Sequence, residues 1–237
     1  MDKAVVLLSG GMDSTVTLAL AKEAKYDVAT LFLDYGQRTL EGELRAFNAI
    51  NEFYSISERI VIDCSHFKQI GKSSLTNLDI EVEIPNDLKL NNEKINSNQE
   101  DINTFRAPNT YVPFRNANIL AMATSWAETI DARALFIGAV EEDSSGYPDT
   151  RPEFFEAFEK AIAWGTAVRP PIKIITPIIK NTKDEIVLKG LRLGAPLYLT
   201  QSCYVSSKKA CGKCESCLYR LRGFEKAGVK DPIEYQE

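Results

Sequence analysis

The sequence has no apolar run approaching the roughly 20 residues that a membrane-spanning helix needs. We also expect no secretory signal, because Met1, Asp2 and Lys3 lead directly into a short strand-like run. Basic residues are not in surplus, since the formal net charge is −5, whereas a broad nucleic-acid surface usually shows such a surplus. We therefore expect a cytoplasmic protein that acts on small molecules, with no membrane partner and no direct nucleic-acid partner.

The first glycine-rich turn lacks the lysine of a Walker A loop, G-x-x-x-x-G-K-[ST]. Two glycines between an apolar run and an amphipathic run allow the backbone to turn off a strand and approach an anion. The N–H groups at the following helix start then point toward that anion. The pattern predicts a phosphate-binding turn rather than an ordinary strand-to-helix turn, with binding residues Leu8, Ser9, Gly10, Gly11, Met12, Asp13, Ser14 and Thr15.

Strand-like and helical patterns alternate along the 237 residues, of which 44% are hydrophobic and 26% charged. Strands are predicted at residues 5–8, 28–33, 59–62, 135–137 and 172–175. Helices are predicted at residues 12–23, 41–53, 115–130, 153–164, 183–193 and 214–226. Such alternation implies right-handed crossovers, so we predict an α/β fold with a doubly wound, mainly parallel five-stranded sheet.

Two segments stand apart from this alternation. Residues 77–106 form a polar, asparagine-rich stretch, which we interpret as either a mobile surface insertion or a lid over the substrate. The C-terminal segment carries four of the five cysteines. We therefore predict a nucleotide-binding α/β domain over residues 1–180 and a small helical, metal-binding appendage over residues 181–237.

The cysteine spacing C-x7-C-x2-C-x2-C at Cys203, Cys211, Cys214 and Cys217 suits one tetrahedral ion. Zinc is the expected metal; an iron–sulfur cluster and unligated thiols are the alternatives. Four sulfur ligands leave no open position for water, so the metal would hold structure rather than perform chemistry. Cys64 and the single histidine, His66, lie apart from this pattern and are interpreted as packing or surface residues.

Several further motifs follow the predicted strands and helix starts in chain order. They are D-Y-G-Q-R at residues 34–38, Y-V-P-F-R-N at 111–116, S-G-Y-P-D-T-R-P-E-F at 145–154 and S-C-Y at 202–204. Together with the phosphate-binding turn and the four cysteines, they make the chain resemble the 7-cyano-7-deazaguanine synthase family of ATP-pyrophosphatases. The resemblance covers residues 3–230.

The resemblance implies a two-stage ligase with ATP, ammonia and 7-carboxy-7-deazaguanine as substrates. One ATP adenylates the carboxylate, ammonia displaces AMP to give an amide, and a second ATP activates the amide oxygen so that loss of AMP leaves a nitrile. The family also implies magnesium with the ATP and a homodimer. Asp13 and Lys183 are the predicted catalytic residues, with Asp13 as a magnesium ligand or a hydrogen-bonding group and Lys183 toward the pyrophosphate.

Further site residues follow from position in the motifs. Asp34 and Gln37 stand at the carboxyl end of the second strand, where open α/β sheets bind ligands, and are predicted to face the nucleotide. The predicted substrate-binding residues are Arg115, Asn116, Tyr147, Asp149 and Arg151, whose side chains offer guanidinium, amide, hydroxyl and carboxylate groups.

Two positions depart from the family pattern and bear on base specificity. Phe114 stands where many relatives carry a smaller residue, and Thr150 stands where a cysteine is common. The alternative functions are a related adenylating enzyme with another acceptor, in tRNA thiolation or in attachment of a deazaguanine to a protein, and a nucleotide-binding module without turnover.

Overall fold

The computed structural model describes residues 1–85, 107–141 and 147–236. Its five strands are β1 (Lys3–Leu7), β2 (Asp27–Asp34), β3 (Arg59–Asp63), β4 (Ala134–Ile137) and β5 (Lys173–Ile175). They form one parallel sheet in the order β3-β2-β1-β4-β5. All five predicted strands are confirmed, with ends that shift by one or two residues.

The helices are α1 (Met12–Glu23), α2 (Leu40–Phe53), α3 (Phe67–Ile70), α4 (Arg115–Thr129), α5 (Pro152–Gly165), α6 (Lys183–Arg192) and α7 (Glu215–Lys226). Six of these were predicted; the single-turn α3 was not. Short 3-10 turns occupy Pro148–Thr150 and Leu197–Leu199. Within the described residues, no helix has the length and apolarity needed to cross a membrane.

The sheet is covered on both faces, which confirms the doubly wound arrangement. On one face, Leu18 of α1 and Phe47 of α2 pack in a buried cluster with Val6. On the other face, Leu120 of α4 and Phe155 of α5 pack in a second buried cluster. Parallel strands buried on two faces read as continuous apolar runs, as β1 does.

The C-terminal helices pack directly on the first helix. A third buried cluster joins Val16 of α1 to Ile186 of α6 and Phe224 of α7. A capping box begins α6, where the backbone N–H of Thr182 donates to Glu185 Oε2 at 3.2 Å. The division into units 1–180 and 181–237 stays a prediction, and most of the predicted insertion, from residue 86 to 106, lies outside the described residues.

Candidate functional site

The predicted phosphate-binding turn, residues 9–14, links β1 to α1. Gly10 has φ of +81°, and a Cβ there would lie 2.7 Å from the carbonyl oxygen of Glu43. Only glycine allows both this backbone conformation and this close approach of α2. Within the turn, the Oγ atoms of Ser9 and Ser14 lie 3.1 Å apart, and Ser14 Oγ donates to the Gly11 carbonyl at 3.0 Å. The turn therefore presents hydroxyl groups and the start of α1 to one cavity.

The two predicted catalytic residues are in contact. Lys183 Nζ lies 2.7 Å from Asp13 Oδ2, although the two residues come from opposite ends of the chain. Lys183 is at the first position of α6, and Asp13 is in the first turn of α1. Among the described residues, Asp13 Oδ1 is buried and has no hydrogen-bond partner. A carboxylate with one oxygen paired and one buried and unpaired suits a further cationic ligand.

One cavity of about 300 Å³ lies beyond the carboxyl ends of β1, β2 and β4. This is the edge at which open α/β sheets bind ligands, beside the point where the strand order reverses. Its floor is apolar, and polar groups converge on it from several parts of the chain. They come from the phosphate-binding turn, Tyr35, Glu43, the start of α4, Tyr147, Lys183 and the segment from Gln201 to the start of α7. The combination is typical of a small-molecule site.

Arg115 enters this cavity at the start of α4 and is held by aromatic residues. Its Nη1 donates to the hydroxyl of Tyr35 at 3.0 Å, and its guanidinium lies 5.0 Å from the centroid of the Tyr35 ring. Burial raises the pKa of Tyr147 to about 12, although a hydrogen bond with Thr110 opposes the shift. The tyrosines around Arg115 therefore stay neutral near pH 7, and the guanidinium keeps its charge for an anionic ligand.

Asp149 forms hydrogen bonds within the protein. Its Oδ2 accepts from the backbone N–H of Asn116 at 3.0 Å, and Asn116 Nδ2 donates to the Asp149 carbonyl at 2.9 Å. Burial raises the pKa of the Asp149 carboxyl, while the Asn116 N–H and Arg115 oppose the rise. Asp149 thereby fixes the start of α4, and with it the neighbouring Arg115.

The structure brings most of the predicted residues into the cavity. Ten line it: Leu8, Ser9, Gly11, Met12, Asp13, Ser14, Arg115, Asn116, Tyr147 and Lys183. Six do not: Gly10, Thr15, Asp34, Gln37, Asp149 and Arg151. Thr15 Oγ1 donates to the Gly11 carbonyl at 2.8 Å, and Asp34 Oδ1 accepts from the Gly36 N–H at 2.9 Å. Arg151 is exposed beside the start of α5. Ligand contact by these residues stays a prediction.

Several cavity residues were not predicted from the sequence, among them Tyr35, Tyr204 and Glu43. Tyr35 and Tyr204 lie within quoted motifs but received no role, and Glu43 is one of two acidic residues in the first turn of α2. Acidic residues are common at that position because they complement the helix dipole. Only the tertiary approach of α2 to Gly10 shows that Glu43 belongs to the cavity.

The four predicted cysteines meet beside α7. Their sulfur atoms all lie within 4.8 Å of one another, and the Sγ atoms of Cys211 and Cys217 are 4.0 Å apart. Sulfurs bound to one tetrahedral zinc at about 2.3 Å would be about 3.8 Å apart. The cluster therefore has the size of a metal site.

Backbone donors surround the cysteine sulfurs as they surround thiolates. Cys203 Sγ accepts from the N–H groups of Val205, Ser206 and Cys211, each at 3.3 Å. Hydrogen bonds from the thiols of Cys214 and Cys217 lower the pKa of Cys203 well below its usual range. Four neighbouring thiolates repel each other unless a cation lies between them, so the donor set fits a metal ion.

The sheet, the turn after β1 and the cavity define a doubly wound α/β protein with a small-molecule cavity at the carboxyl ends of its strands. A solved 4-thiouridine synthetase in complex with RNA and bound ATP shares this fold, with a TM-score of 0.51 and 15% identity. The superposition covers 96% of this chain and 53% of the synthetase, so the present chain spans about half of that protein.

Sequence comparison places the chain within one family of this type. Residues 3–228 match the family model described as "Queuosine biosynthesis protein QueC". A 7-cyano-7-deazaguanine synthase of Chlorobium phaeobacteroides is 49% identical over 99% of this chain and 97% of its own length. One from Chloroherpeton thalassium is 50% identical, with coverage of 99% and 97%. The chain belongs to the QueC family, as its motifs predicted.

Proposed function

We propose that the protein is an ATP-dependent ligase that converts 7-carboxy-7-deazaguanine and ammonia into 7-cyano-7-deazaguanine, releasing AMP and pyrophosphate. Membership in a family whose curated members carry this synthase name supports the proposal. The observation that carries it is structural: the phosphate-binding turn, the Asp13–Lys183 pair and Arg115 line one cavity. Such a cavity can hold a nucleotide and an acid together, with the acid oxygen toward the α-phosphorus.

In the proposed reaction the turn and the start of α1 hold the triphosphate, since N–H groups at a helix start attract phosphate. Lys183 stabilises the charge that develops on the departing pyrophosphate. Asp13 Oδ1 would hold magnesium, which supplies charge neutralisation on the phosphates when bound. Arg115 and Asn116 orient the carboxylate, and Tyr147 borders the heterocycle.

Both stages of the proposed reaction depend on adenylation of an oxygen. A carboxylate oxygen and an amide oxygen are poor leaving groups, whereas AMP departs readily once the oxygen has been adenylated. The protein therefore contributes mainly positioning and electrostatic stabilisation. The use of ATP and of four reduced cysteines supports a cytoplasmic location for the proposed reaction.

The cysteine cluster is proposed to hold one zinc ion per chain, with Cys203, Cys211, Cys214 and Cys217 as ligands. Four protein ligands give the ion a structural role, because it would link the start of α7 to the segment that precedes it. The working form is proposed to be a homodimer that recognises its small-molecule substrates without direct contact to nucleic acid.

Mass spectrometry of a reaction with ATP, ammonium and 7-carboxy-7-deazaguanine tests the proposed function. The expected products are the nitrile, AMP and pyrophosphate, with the amide as an intermediate. Formation of ADP instead of AMP would contradict attack at the α-phosphorus. Turnover with another acceptor and none with the deazaguanine acid would contradict the substrate.

A further inference from the structure

The carboxylate of Glu43 faces the cavity from the first turn of α2. Its Oε1 accepts from Thr39 Oγ1 at 2.6 Å, and its Oε2 accepts from Gln37 Nε2 at 3.0 Å. Gln37 is itself fixed, because its Oε1 accepts from the Tyr35 N–H at 2.9 Å. A carboxylate has about four acceptor positions, so two held donors orient the group and leave capacity for a ligand.

Glu43 lies between the part of the proposed site that holds the nucleotide and the part that holds the acid. Its backbone packs against Gly10 of the phosphate-binding turn, and its side chain shares the cavity with Arg115. Burial raises the pKa of the Glu43 carboxyl; the hydrogen bonds from Thr39 and Gln37 and the charge of Arg115 oppose the rise, while Asp34 adds to it. A carboxylate with a raised pKa is better matched to taking up a proton near neutral pH.

Other carboxylates near the cavity are already engaged. Asp13 pairs with Lys183, and Asp149 accepts from the backbone of Asn116. Glu43 differs from Asp13 because its two partners are a neutral hydroxyl and a neutral amide, and it differs from Asp149 because it lines the cavity. It therefore retains the basicity that an ion pair with lysine would reduce. Glu215 at the start of α7 also lines the cavity and is the natural comparison.

Both stages of the proposed reaction require nitrogen to lose protons inside this cavity. When ammonia attacks the acyl adenylate, the C–N bond forms, the C–O bond to AMP breaks, and the nitrogen must release one proton to leave a neutral amide. When the adenylated amide collapses to the nitrile, the remaining protons on nitrogen are released as the second AMP departs. Neither step transfers electrons to an external acceptor, so a base is the only additional group needed.

We propose that Glu43 is the proton acceptor for the nitrogen nucleophile, with Gln37 and Thr39 as its positioning residues. In the amide-forming step, the Glu43 carboxylate takes the proton from nitrogen as AMP leaves, and it returns that proton to solvent before the next step. This inference rests on the proposed function and deepens it, since it assigns a base to the same cavity.

The test separates adenylation from amination in Glu43→Gln, with Glu41→Gln as the matched control on the exposed side of the same helix. Adenylation is followed as exchange of labelled pyrophosphate into ATP in the presence of the deazaguanine acid. Amination is followed as amide and nitrile formation from ammonium. Hydroxylamine, which is unprotonated at neutral pH, serves as a second nucleophile that depends less on a base.

For Glu43→Gln, we expect amination to fall by about 10²–10⁴-fold, while pyrophosphate exchange and hydroxamate formation stay within the same order of magnitude as in the wild type. Glu41→Gln should match the wild type in all three assays. Glu43→Asp, which keeps the carboxylate, should recover part of the amination. Thermal unfolding of each variant shows that a loss of amination is not a loss of fold.

Unchanged amination in Glu43→Gln would overturn the inference, as would an equal loss of exchange and amination. A selective loss of amination in Glu215→Gln, with Glu43→Gln active, would transfer the role to Glu215. These outcomes are all measured against a wild type that makes the nitrile. A wild type that makes none would instead refute the proposed function.

Discussion

At the scale of single residues, the contact between Lys183 and Asp13 makes a specific prediction. Replacing Lys183 by methionine removes a charge-assisted donor that lies 2.7 Å from Asp13 and only 12% exposed. We expect pyrophosphate release to slow by about 10²–10³-fold, the usual cost of losing one donor to developing charge. A continuous phosphate assay coupled to a pyrophosphatase measures the rate.

Lys180→Met is the matched control, because Lys180 is exposed three positions before the start of α6. It removes one positive charge near the start of α6 without touching the cavity. A similar loss of rate in both variants would show that the general positive charge matters rather than the Lys183 contact. Normal turnover in Lys183→Met would show that Lys183 does not take part in catalysis.

At the scale of elements, a buried ion pair ties the C-terminal tail to α7. Arg220 is 1% exposed, and its Nε lies 2.7 Å from Asp231 Oδ2; Tyr235 donates its hydroxyl to the same oxygen at 2.7 Å. Asp231→Ala leaves a buried guanidinium without its counter-charge, which costs about 3–5 kcal/mol in the free energy of unfolding. Urea denaturation followed by circular dichroism measures the loss.

Glu234→Ala provides the comparison in the same tail. Glu234 is 77% exposed and pairs with Lys209 at 3.2 Å, so its loss should cost about 0–1 kcal/mol. Equal costs for the two variants would contradict the claim that burial, rather than the presence of a salt bridge, decides the effect. Arg220 also lines the cavity, so a loosened tail should weaken ATP binding as well.

The cysteine cluster at the start of α7 leads to a further prediction about metal content. Cys214→Ser removes one of four ligands, so we expect the bound zinc to fall well below one ion per chain by elemental analysis and residues near 203–217 to become sensitive to proteolysis. Cys64→Ser should keep the full metal content, because Cys64 is buried apart from the cluster and contacts Met122. Full zinc content in Cys214→Ser would contradict the assigned ligand set.

These elements differ in how far the sequence could predict them. The four cysteines and the capping box of α6 are local patterns, so spacing alone was sufficient. The four-residue α3 has too few residues for a periodic signal. The contacts of Gln37 could not be predicted from the sequence. Its amide turns toward Glu43 and the Leu33 carbonyl, and these contacts exist only after β2 and α2 have packed.

At the scale of the whole molecule, the alternation of patterns predicted a doubly wound sheet but not its strand order. The order β3-β2-β1-β4-β5 depends on long-range pairing, such as Val5 beside both Ala29 and Leu135. That order places the β1 turn next to the end of β4, and it thereby brings Gly138 against Asp13, where a Cβ would lie 2.9 Å from the Asp13 carbonyl oxygen. The cavity is consequently a product of topology, although its motifs are visible in the sequence.

The net charge of the molecule predicts a low affinity for polyanions such as tRNA. With a formal net charge of −5, the long-range field of the protein repels tRNA. We expect fluorescence anisotropy with labelled tRNA to show binding no tighter than about 10⁻⁴ M at physiological salt, the weak end of non-specific binding. Unlabelled tRNA should likewise leave the rate of nitrile formation unchanged. Micromolar binding that weakens steeply as salt is added would reveal a basic surface at odds with the overall charge, and it would favour a nucleic-acid acceptor over the free deazaguanine acid.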